Sequence, residues 1–499
     1  EVRSSTIREK CGVFGVSSPN EDAFNYLYWG LIAQNHRGHE SYGFLTYSGE
    51  GNLNRKIGLG LVPKLSEDRF LKWKSSLKGN IGIAHVRYGT SGSRESRTHL
   101  LEDAQPMVVS IGEKKLGLAF NGNIVNIEWL RKEATKKFNY LMTDSDTELL
   151  SRYILSNIGR GVFDAIELCM ANVEGAYSVV GLTSDGEMFA FKDPFGIRPL
   201  CFGCDKEKGV KAFSSETVGL NINGLELIRE LEPGEAIVIS RDNIEKEKIA
   251  KNNKRAFCAF EFAYFARPDS VINGKPVYKV REEFGRNLGK RYKDILKEVD
   301  LIISIPETSD DAAYGLHEET GIRWERALRR HRFVTQRAFI LEPEERVATI
   351  SRKINIVNDS LKGKKVAVIE DSIVRGDTTK TIIKKLKNSG VKKVYLFVTF
   401  PKITHPCFYG IDMATFKELV GFRRKDEEIA KIIGADAVYY QPLEDFVRAT
   451  GLKKEELCTA CITGKYPTEL AQKISDKVEN TPSILSDKRI YEITNLEVK

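Results

Sequence analysis

The sequence predicts two domains of different fold class, and three observations support this. A chain of 499 residues is too long for one ordinary hydrophobic core. In the first half, short β-rich runs recur between helical patterns, and several are apolar throughout, which indicates strands buried on both faces. In the second half, strands and helices alternate. We therefore predict an α+β domain of sheets layered between helices, followed by an α/β domain on a parallel sheet.

The first half contains apolar runs that read as strands and two longer segments with helical periodicity. The helical segments are 23–37 and 145–170. The charged segment 241–255 is expected to be a linker or an exposed turn. The predicted strands are CGVFGVS, YGFLTYS, GNIGIAHVRYG, LGLAFNGNIVN, AYSVVGLT, MFAFKD and EAIVIS.

The second half is predicted to form a parallel sheet, because its strands are separated by helices such as TTKTIIKKLKNSG. We expect a leader at 1–10, a first domain at 11–250, a second domain at 256–450 and a helical C-terminal tail at 451–499, of which about the last forty residues pack as an appendage. The predicted strands are VDLIISIP, KKVAVIEDS, VKKVYLFVTF and ADAVYY.

The charge balance and hydropathy exclude several classes of function. Lys and Arg number 77 against 69 Asp and Glu, a net charge of +8 that is spread along the chain without a basic tract. We therefore expect no nucleic-acid partner, whereas anionic small substrates would suit this surface. No apolar stretch approaches the roughly 20 residues of a membrane helix. Without a secretory signal, we expect a cytoplasmic protein with no membrane partner.

Cys11 directly precedes the first predicted strand and follows ten mostly polar residues. Two interpretations are open at this point. A free cysteine at a strand start is commonly a small core residue. Alternatively, Cys11 is a nucleophile whose own backbone amine is needed, in which case the leader must be removed.

The run KKVAVIEDSIVRGDTTKTIIKKL has the residues of a phosphate site. An apolar strand ends in Glu370 and Asp371, and a glycine and two threonines then precede a helix. Backbone N–H groups at a helix N-terminus bind anions, and Gly376 allows the chain to approach a phosphate closely. The acidic pair can accept hydrogen bonds from sugar hydroxyls or hold hydrated Mg²⁺. The run therefore predicts a ribose-phosphate site.

This run resembles the phosphoribosyl-diphosphate (PRPP) signature of the type I phosphoribosyltransferases. The first half is similar to glutamine amidotransferases with an N-terminal nucleophile, a resemblance that implies a four-layer αββα sandwich. Together the motifs resemble the glutamine PRPP amidotransferase family over residues 11 to about 467. The motifs are CGVFGV, NHRGHESYG, GIAHVRYGTSG, NGNIVN, SDTELL, DPFGIRPL, FEFAYFARPDS and HPCFYGIDM.

The resemblance implies roles for residues of the first half. After removal of the leader, the Cys11 thiol would attack the side-chain amide of glutamine, with its own α-amine as general base. Asn121 and the N–H group of Gly122 would form the oxyanion hole. Arg87 would bind the glutamine α-carboxylate, and Asp146 its ammonium group.

The resemblance also implies the reaction. Glutamine is hydrolysed, and its ammonia travels internally to displace pyrophosphate from C1 of PRPP, giving 5-phosphoribosylamine, the first step of purine synthesis. The loop 305–316 is expected to bind pyrophosphate, and 332–340 to close over PRPP. The expected Mg²⁺ ligands are Glu370 and Asp371. The expected PRPP-binding residues are Glu370, Asp371, Ser372, Arg375, Gly376, Thr378, Thr379 and Arg337.

Four of the eight cysteines coincide with positions at which some family members hold a 4Fe–4S cluster. Four thiolates are the right ligand number, and the expected role is structural. The CTAC pair by itself is equally compatible with zinc or chance. The four expected ligands are Cys258, Cys407, Cys458 and Cys461. We expect a core role for Cys169, Cys201 and Cys204, and a structural role for His36 and His85.

Some residues depart from the family pattern. Asp377 lies in the phosphate loop, where we expect it to point outward and cap the following helix. Asp310 and Asp311 are unfavourable neighbours for pyrophosphate unless Mg²⁺ intervenes.

An alternative function is therefore a paralogue with glutaminase activity and a weakened PRPP site, acting as a regulatory or ammonia-supplying protein. A third hypothesis, a non-catalytic nucleotide-binding or RNA-associated protein, is supported only by the net positive charge. The family also suggests a homotetramer and purine nucleotide inhibitors.

Overall fold

The computed structural model confirms the division of the chain into halves of different class. The first half consists of antiparallel sheets and the second of a parallel sheet with flanking helices. Among the residues described, no helix is both long and apolar enough to cross a membrane. The structure describes residues 11–88, 97–136, 141–143, 145–240, 243–250, 254–331, 354–357, 359–411, 413 and 415–481.

The first half forms strands at the seven predicted apolar runs, and the helices 23–33, 146–157 and 162–172 lie in the two periodic segments. Six further strands and four further helices among the described residues lie outside the predicted runs and segments. Its strands are β1 (Gly12–Ser17), β2 (Ser41–Tyr47), β3 (Leu53–Leu59), β4 (Ile81–Arg87), β5 (Met107–Ile111), β6 (Lys114–Ile124), β7 (Gly175–Thr183), β8 (Glu187–Lys192), β9 (Cys201–Asp205), β10 (Val210–Ser214), β11 (Glu226–Glu230), β12 (Glu235–Ser240) and β13 (Asn243–Lys248). Its helices are α1 (Ala23–Ala33), α2 (Glu67–Ser76), α3 (Arg97–Glu102), α4 (Ile127–Thr135), α5 (Asp146–Asn157), α6 (Val162–Asn172) and α7 (Thr217–Asn221).

Two sheets pack face to face in this half. The described strands of one are ordered β11-β9-β10-β1-β4-β2-β3, and those of the other β13-β12-β8-β7-β6-β5. Because side chains alternate along a strand, Phe14 and Val16 of β1 face α1, while Val13 packs between the sheets with Val180 of β7. Helices α4 to α6 cover the outer face of the second sheet, where Leu149 meets strand β6. The predicted four-layer αββα sandwich is confirmed.

The expectation of a linker or exposed turn at 241–255 was wrong for its central part. Strand β13 pairs antiparallel with β12 across six residues, and every one of its side chains is exposed. A charged edge strand keeps its backbone hydrogen bonds on one side and resists pairing with other chains on the other. The charges that resembled a linker are therefore those of a protected sheet edge.

The second half contains the predicted parallel sheet, ordered β17-β20-β21-β22, between two layers of helices. Val368 of β20 faces Ile382 of the following helix, whereas Ile369 faces the opposite layer. Its strands are β14 (Phe257–Cys258), β15 (Val271–Ile272), β16 (Lys275–Pro276), β17 (Leu301–Ser304), β18 (Leu328–Arg330), β19 (Ile354–Ile356), β20 (Lys365–Glu370), β21 (Lys393–Val398), β22 (Ala437–Tyr440) and β23 (Leu457–Cys458). Its helices are α8 (Val277–Arg291), α9 (Lys293–Leu296), α10 (Asp310–Thr320), α11 (Asp377–Asn388), α12 (Asp426–Ile433), α13 (Leu443–Thr450), α14 (Ala460–Thr463) and α15 (Glu469–Glu479).

The halves meet in a core of aromatic side chains that the tail completes. Ile197 of the first half and Phe400 of the second pack against the segment 256–266. Helix α15 buries Ala471 and Ile474 in the same core. The described part of the tail is thus integral to the junction, and the expected appendage was wrong, because the apolar face of α15 is covered by both halves.

Candidate active sites

Cys11 lies immediately before β1, at the N-terminal end of the central strand of the first sheet, and is partly exposed. Gly12 pairs with Val86 of β4, so one residue further along each strand Cys11 stands beside Arg87. The backbone carbonyl of Cys11 accepts a hydrogen bond of 2.9 Å from Nε of Arg37. The predicted leader lies outside the described residues. The nucleophile candidate is therefore held by its backbone and is partly exposed at the end of a central strand.

Asn121 has the features of an oxyanion donor. It is 1% exposed on β6, and its Nδ2 has no hydrogen-bond partner among the described residues. An unpaired buried donor costs about 1–3 kcal/mol, so one that is retained fits an acceptor supplied by a ligand. A Cβ atom at Gly122 would lie 1.9 Å from the carbonyl oxygen of Ala176, which requires glycine here. Strand β6 approaches β4 through His85, whose Nε2 lies 2.9 Å from the Phe120 carbonyl oxygen.

Arg87 is buried at the end of β4 between two carboxylates. It forms an ion pair with Glu40 and a second, of 3.2 Å, with Asp103. Burial alone would lower the pKa of Arg87, but Glu40 and Asp103 hold it above its usual value, and Cys11 and Asp146 contribute in the same direction. The predicted nucleophile and both predicted glutamine-binding residues therefore lie within electrostatic range of one another.

Asp146 is the first residue of α5, whose N-cap is Ser145. The Ser145 hydroxyl accepts a hydrogen bond of 3.2 Å from the Thr147 N–H group, which fixes the start of the helix. Burial raises the pKa of the Asp146 carboxyl to about 6, and Arg87 limits the increase. At neutral pH this carboxylate is mostly ionised and suited to an ammonium group.

The predicted PRPP site begins where β20 ends. Glu370 accepts a hydrogen bond of 3.3 Å from the Thr379 hydroxyl, and Asp371 accepts one of 2.7 Å from the Ser372 hydroxyl. Burial, and then the charge of Asp371, raise the pKa of Glu370 well above its usual value. Two adjacent, buried carboxylates repel each other, so this pair is stabilised when one carboxyl group is protonated or when the pair binds a cation.

The glycine of the predicted phosphate loop is left-handed. Gly376 has φ of 85° and occupies the N-cap position of α11 without a side-chain capping bond. Asp377 is therefore the first residue of the helix, and our expectation that it caps the helix was wrong, because a cap must precede the first turn. Its half-buried carboxyl has a raised pKa because of burial, against the opposing effect of Arg375 and Lys380.

Arg375 was predicted to bind PRPP but is engaged elsewhere in the structure. Its Nε donates a hydrogen bond of 2.7 Å to Oε2 of Glu418, and its Nη2 forms an ion pair with the same carboxylate. Glu418 also accepts a hydrogen bond of 2.8 Å from the Thr415 N–H group. A substrate phosphate must compete with Glu418 for this guanidinium.

The loop predicted to bind pyrophosphate leads into α10. Ser309 is 1% exposed beside the start of that helix, and its hydroxyl has no partner among the described residues. Asp310 accepts a hydrogen bond of 2.6 Å from the Ser304 hydroxyl. Burial raises the pKa of Asp311 to about 6, opposed by Arg281. The expected contact residue Arg337 lies outside the described residues.

The four predicted cluster cysteines come together at the junction of the halves. Cys258 of β14 is in parallel register with Cys458 of β23, and the Tyr409 N–H group donates to Sγ of Cys407 at 3.3 Å. Burial raises the pKa of the Cys258 thiol to about 12. Burial also raises the pKa of the Cys461 thiol well above its usual value, and the other three thiols add to this effect.

No group of three or more His, Cys, Asp or Glu residues at metal-binding spacing is found within the described parts of the chain. The donor set nevertheless fits a cluster in kind, since four thiols, two of them buried and two partly exposed, with one N–H group directed at a sulfur match cluster ligation. The remaining cysteines behave largely as expected: Cys169 and Cys201 are buried, whereas Cys204 is partly exposed.

Several residues of these sites were not identified from the sequence. Arg37, Glu40 and Glu261 lie inside motifs that we singled out, NHRGHESYG and FEFAYFARPDS, and Ser309 lies in the loop 305–316, yet their contacts depend on the fold. The other residues carry no local signal that separates them from ordinary surface charges. These are Asp103, Glu216 and Glu418.

Comparisons with known proteins cover both halves. A family model described as a glutamine amidotransferase domain matches residues 93–221. The amidophosphoribosyltransferase of Methanothermobacter thermautotrophicus is 36% identical, covering 95% of this chain and 97% of that protein. That of Bacillus subtilis is also 36% identical, covering 93% and 96%. A solved structure of the Bacillus subtilis glutamine PRPP amidotransferase complexed with ADP and GMP is 34% identical with a TM-score of 0.82, covering 92% of this chain and 98% of that one.

Proposed function

The chain belongs to the amidophosphoribosyltransferase family, and from this we propose how its two halves divide the reaction. The enzyme converts PRPP, glutamine and water to 5-phosphoribosylamine, glutamate and pyrophosphate, the first step of purine synthesis. The first half, about 11–250, releases ammonia from glutamine. The second half, about 256–450, transfers that ammonia to PRPP, and the described part of the tail closes the junction between them.

In the first half, Cys11 is the nucleophile and its α-amine the general base once the leader 1–10 has been removed. A backbone amide nitrogen has no basic lone pair, so the unprocessed chain lacks this base. Asn121 Nδ2 and the Gly122 N–H group stabilise the oxyanion of the tetrahedral intermediate. Arg87 binds the α-carboxylate of glutamine and Asp146 its ammonium group. The observation that best supports this assignment is the buried, unpartnered Nδ2 of Asn121.

In the second half, the N-terminus of α11 binds the phosphate of PRPP through loop N–H groups and nearby hydroxyls. Glu370 and Asp371 bind the ribose hydroxyls. The PRPP site comprises Glu370, Asp371, Ser372, Arg375, Gly376, Thr378, Thr379 and Arg337. The same acidic pair would hold Mg²⁺, which would offset the charge of the diphosphate when bound. Excluding water keeps the transferred ammonia unprotonated and nucleophilic.

Cys258, Cys407, Cys458 and Cys461 would hold a 4Fe–4S cluster, which would link the junction to the tail as a structural element. Anaerobically purified protein should then be brown and contain about four irons per chain. Cys407→Ser should lose that iron, whereas Cys169→Ser should keep it, because Cys169 is buried in α6 within the core of the first half. Stoichiometric zinc without iron would contradict the cluster.

We further propose a cytoplasmic homotetramer inhibited by purine nucleotides. The nucleotide part is supported by the Bacillus subtilis relative, whose solved structure is complexed with ADP and GMP. Oligomeric state is measured by light scattering of the purified chain, and inhibition by titrating AMP, ADP and GMP against the complete reaction. A monomer, or a rate insensitive to all three nucleotides, would refute the corresponding part.

A paralogue with a weakened PRPP site is the second candidate. It is favoured by Asp377, which is half-buried in the phosphate loop, and by the engagement of Arg375 with Glu418. The decisive experiment measures glutamate release and phosphoribosylamine formation by the processed chain, with glutamine or ammonia as nitrogen donor. PRPP-dependent product from both donors supports the full enzyme. Glutamate release without phosphoribosylamine would favour the paralogue, and the absence of both would contradict each proposal.

A further inference from the structure

Arg37 is a buried cation that contacts the nucleophile. It lies in the 3₁₀ turn Asn35–Arg37, and its side chain is 0% exposed. Nε donates to the Cys11 carbonyl oxygen at 2.9 Å, which leaves the two terminal nitrogens for other partners. A guanidinium is planar and rigid, so anchoring its far end determines where Nε points. The position of the Cys11 backbone therefore depends on what holds the rest of Arg37.

Two buried carboxylates hold it. Nη1 donates to Glu216 at 2.5 Å and to Glu261 at 3.0 Å, and Nη2 donates to Glu261 at 2.8 Å. Glu261 therefore makes a bidentate contact, the geometry in which an arginine–carboxylate pair is strongest and most directional. Glu216 has further partners in the ring of His36 and the Ser270 hydroxyl, at 2.7 Å and 2.6 Å.

Glu261 belongs to the second half of the chain. It begins the π-helical turn Glu261–Phe265 and is completely buried. That turn is fixed by Arg281 of α8, which donates to the carbonyl oxygens of Phe262 and Ala266 at 2.9 Å and 2.8 Å. The carboxylate that orients Arg37 is therefore positioned by the half that carries the PRPP site.

Little water can reach this network. The cavity lined by Glu216, Glu261 and Ser270 has a volume of about 10 Å³. This volume is close to the lower limit for a single water molecule. Solvent cannot replace a carboxylate removed here, so loss of one charge must be met by movement of Arg37 or its neighbours.

From these contacts we infer that Glu261 is a positioning residue of the glutaminase site: through Arg37 it orients the backbone of Cys11, and with it the thiol and the α-amine. The inference rests on the proposed role of Cys11. Glu261 touches neither Arg87 nor Asp146 among the described contacts, so it should affect the attack by the thiol and leave glutamine binding largely unchanged.

The test is Glu261→Gln in the full, processed chain, which removes the charge and nearly preserves the shape. We expect the kcat of glutamine hydrolysis to fall at least tenfold, with the KM for glutamine and the ammonia-dependent synthesis within twofold of wild type. The alkylation rate of Cys11 by iodoacetamide should change as well. Glu282→Gln is the matched control: it is a buried, ion-paired glutamate of α8 without contact to Arg37, and should leave glutamine hydrolysis unchanged.

An unchanged kcat in Glu261→Gln would overturn the inference. So would an equal loss of the glutamine- and ammonia-dependent activities, because that pattern indicates a general structural role. Should Glu261→Gln not fold, Arg37→Lys tests the same link: it keeps the charge but loses the fork, and is expected to show the same selective loss of kcat. A wild-type chain that releases no glutamate would instead refute the proposed function, and this inference with it.

Discussion

The two candidate active sites differ in how their charges are balanced. In the glutamine site, Arg87 lies between Glu40 and Asp103, so the binding cation is already held by the protein. In the PRPP site, Glu370 and Asp371 are adjacent and buried, and the pKa of Glu370 is raised by burial and then by its neighbour. The first site is therefore pre-organised by protein groups, whereas the second has an excess of negative charge that a cation would offset.

The comparison predicts how each site responds to substitution. A pre-organised site loses rate when a group is removed, because no other group can take its place. A site with unbalanced charge can bind its anionic substrate more tightly when one carboxylate is removed. The four predictions below test this difference, in order of decreasing effect.

The largest effect is expected for Cys11→Ala. If Cys11 is the nucleophile as proposed, no covalent intermediate forms without its thiol, so glutamine-dependent synthesis should fall by at least about a thousandfold. Ammonia-dependent synthesis should stay within about twofold, because it uses only the second half. Both rates are measured as phosphoribosylamine formation, and a parallel loss of both would show that the two sites are not separate.

Asn121→Ala should lower the kcat of glutamine hydrolysis by about 100- to 1000-fold with little change in KM, as expected for loss of one oxyanion donor. Asn172→Ala serves as control, because that side chain is exposed and donates to Leu168 within its own helix. Steady-state kinetics of glutamate release provide the measurement. A rise in KM at constant kcat would place Asn121 in substrate binding instead.

The third prediction concerns pH. Asp146 must be ionised to bind the glutamine ammonium group, and its pKa is raised to about 6 by burial. The α-amine that we propose as general base already lowers kcat/KM for glutamine, which reports the free enzyme, as it is protonated below about pH 8. Protonation of Asp146 should therefore add a second fall below about pH 6, which brings the combined slope towards about a hundredfold per unit. The Asp146→Asn variant should bind glutamine weakly at every pH and lack this limb. A wild-type limb near the ordinary aspartate pKa would contradict the assignment.

The smallest effect is expected for Asp377→Thr. This change removes a half-buried carboxylate that does not cap α11, so the KM for PRPP should fall about three- to tenfold at fixed Mg²⁺. Thr379→Val should raise the same KM, since its hydroxyl lies in the loop and bonds to Glu370. Glu427→Gln, an exposed change on α12, is the control. A KM that rises in Asp377→Thr would show that the carboxylate contributes to binding.

Local sequence was sufficient for strands that are buried on both faces. The apolar runs predicted β1, β20 and the other core strands, because a strand buried on both faces needs apolar side chains along its whole length. The prediction from local sequence failed where a strand or helix carries mostly charged side chains. Strand β13 was read as a linker because an exposed edge strand needs no apolar side chains. Helix α15 was predicted to be peripheral because most of its residues are polar. Its few apolar residues form one face, and that face is buried in the core between the halves.

The sequence by itself determined the fold classes, the family resemblance and most of the residues that we assign to chemistry, since these depend on local patterns: apolar runs and strand–helix alternation for the fold classes, and short motifs for the rest. Only the tertiary structure decided what holds those residues. Arg37 and Glu261 are 224 residues apart and meet in a buried pair, and Arg375 is engaged by Glu418 from another segment. Ion pairs of this kind arise when distant segments are desolvated together, and a buried charge takes its partner from whatever the fold brings within reach.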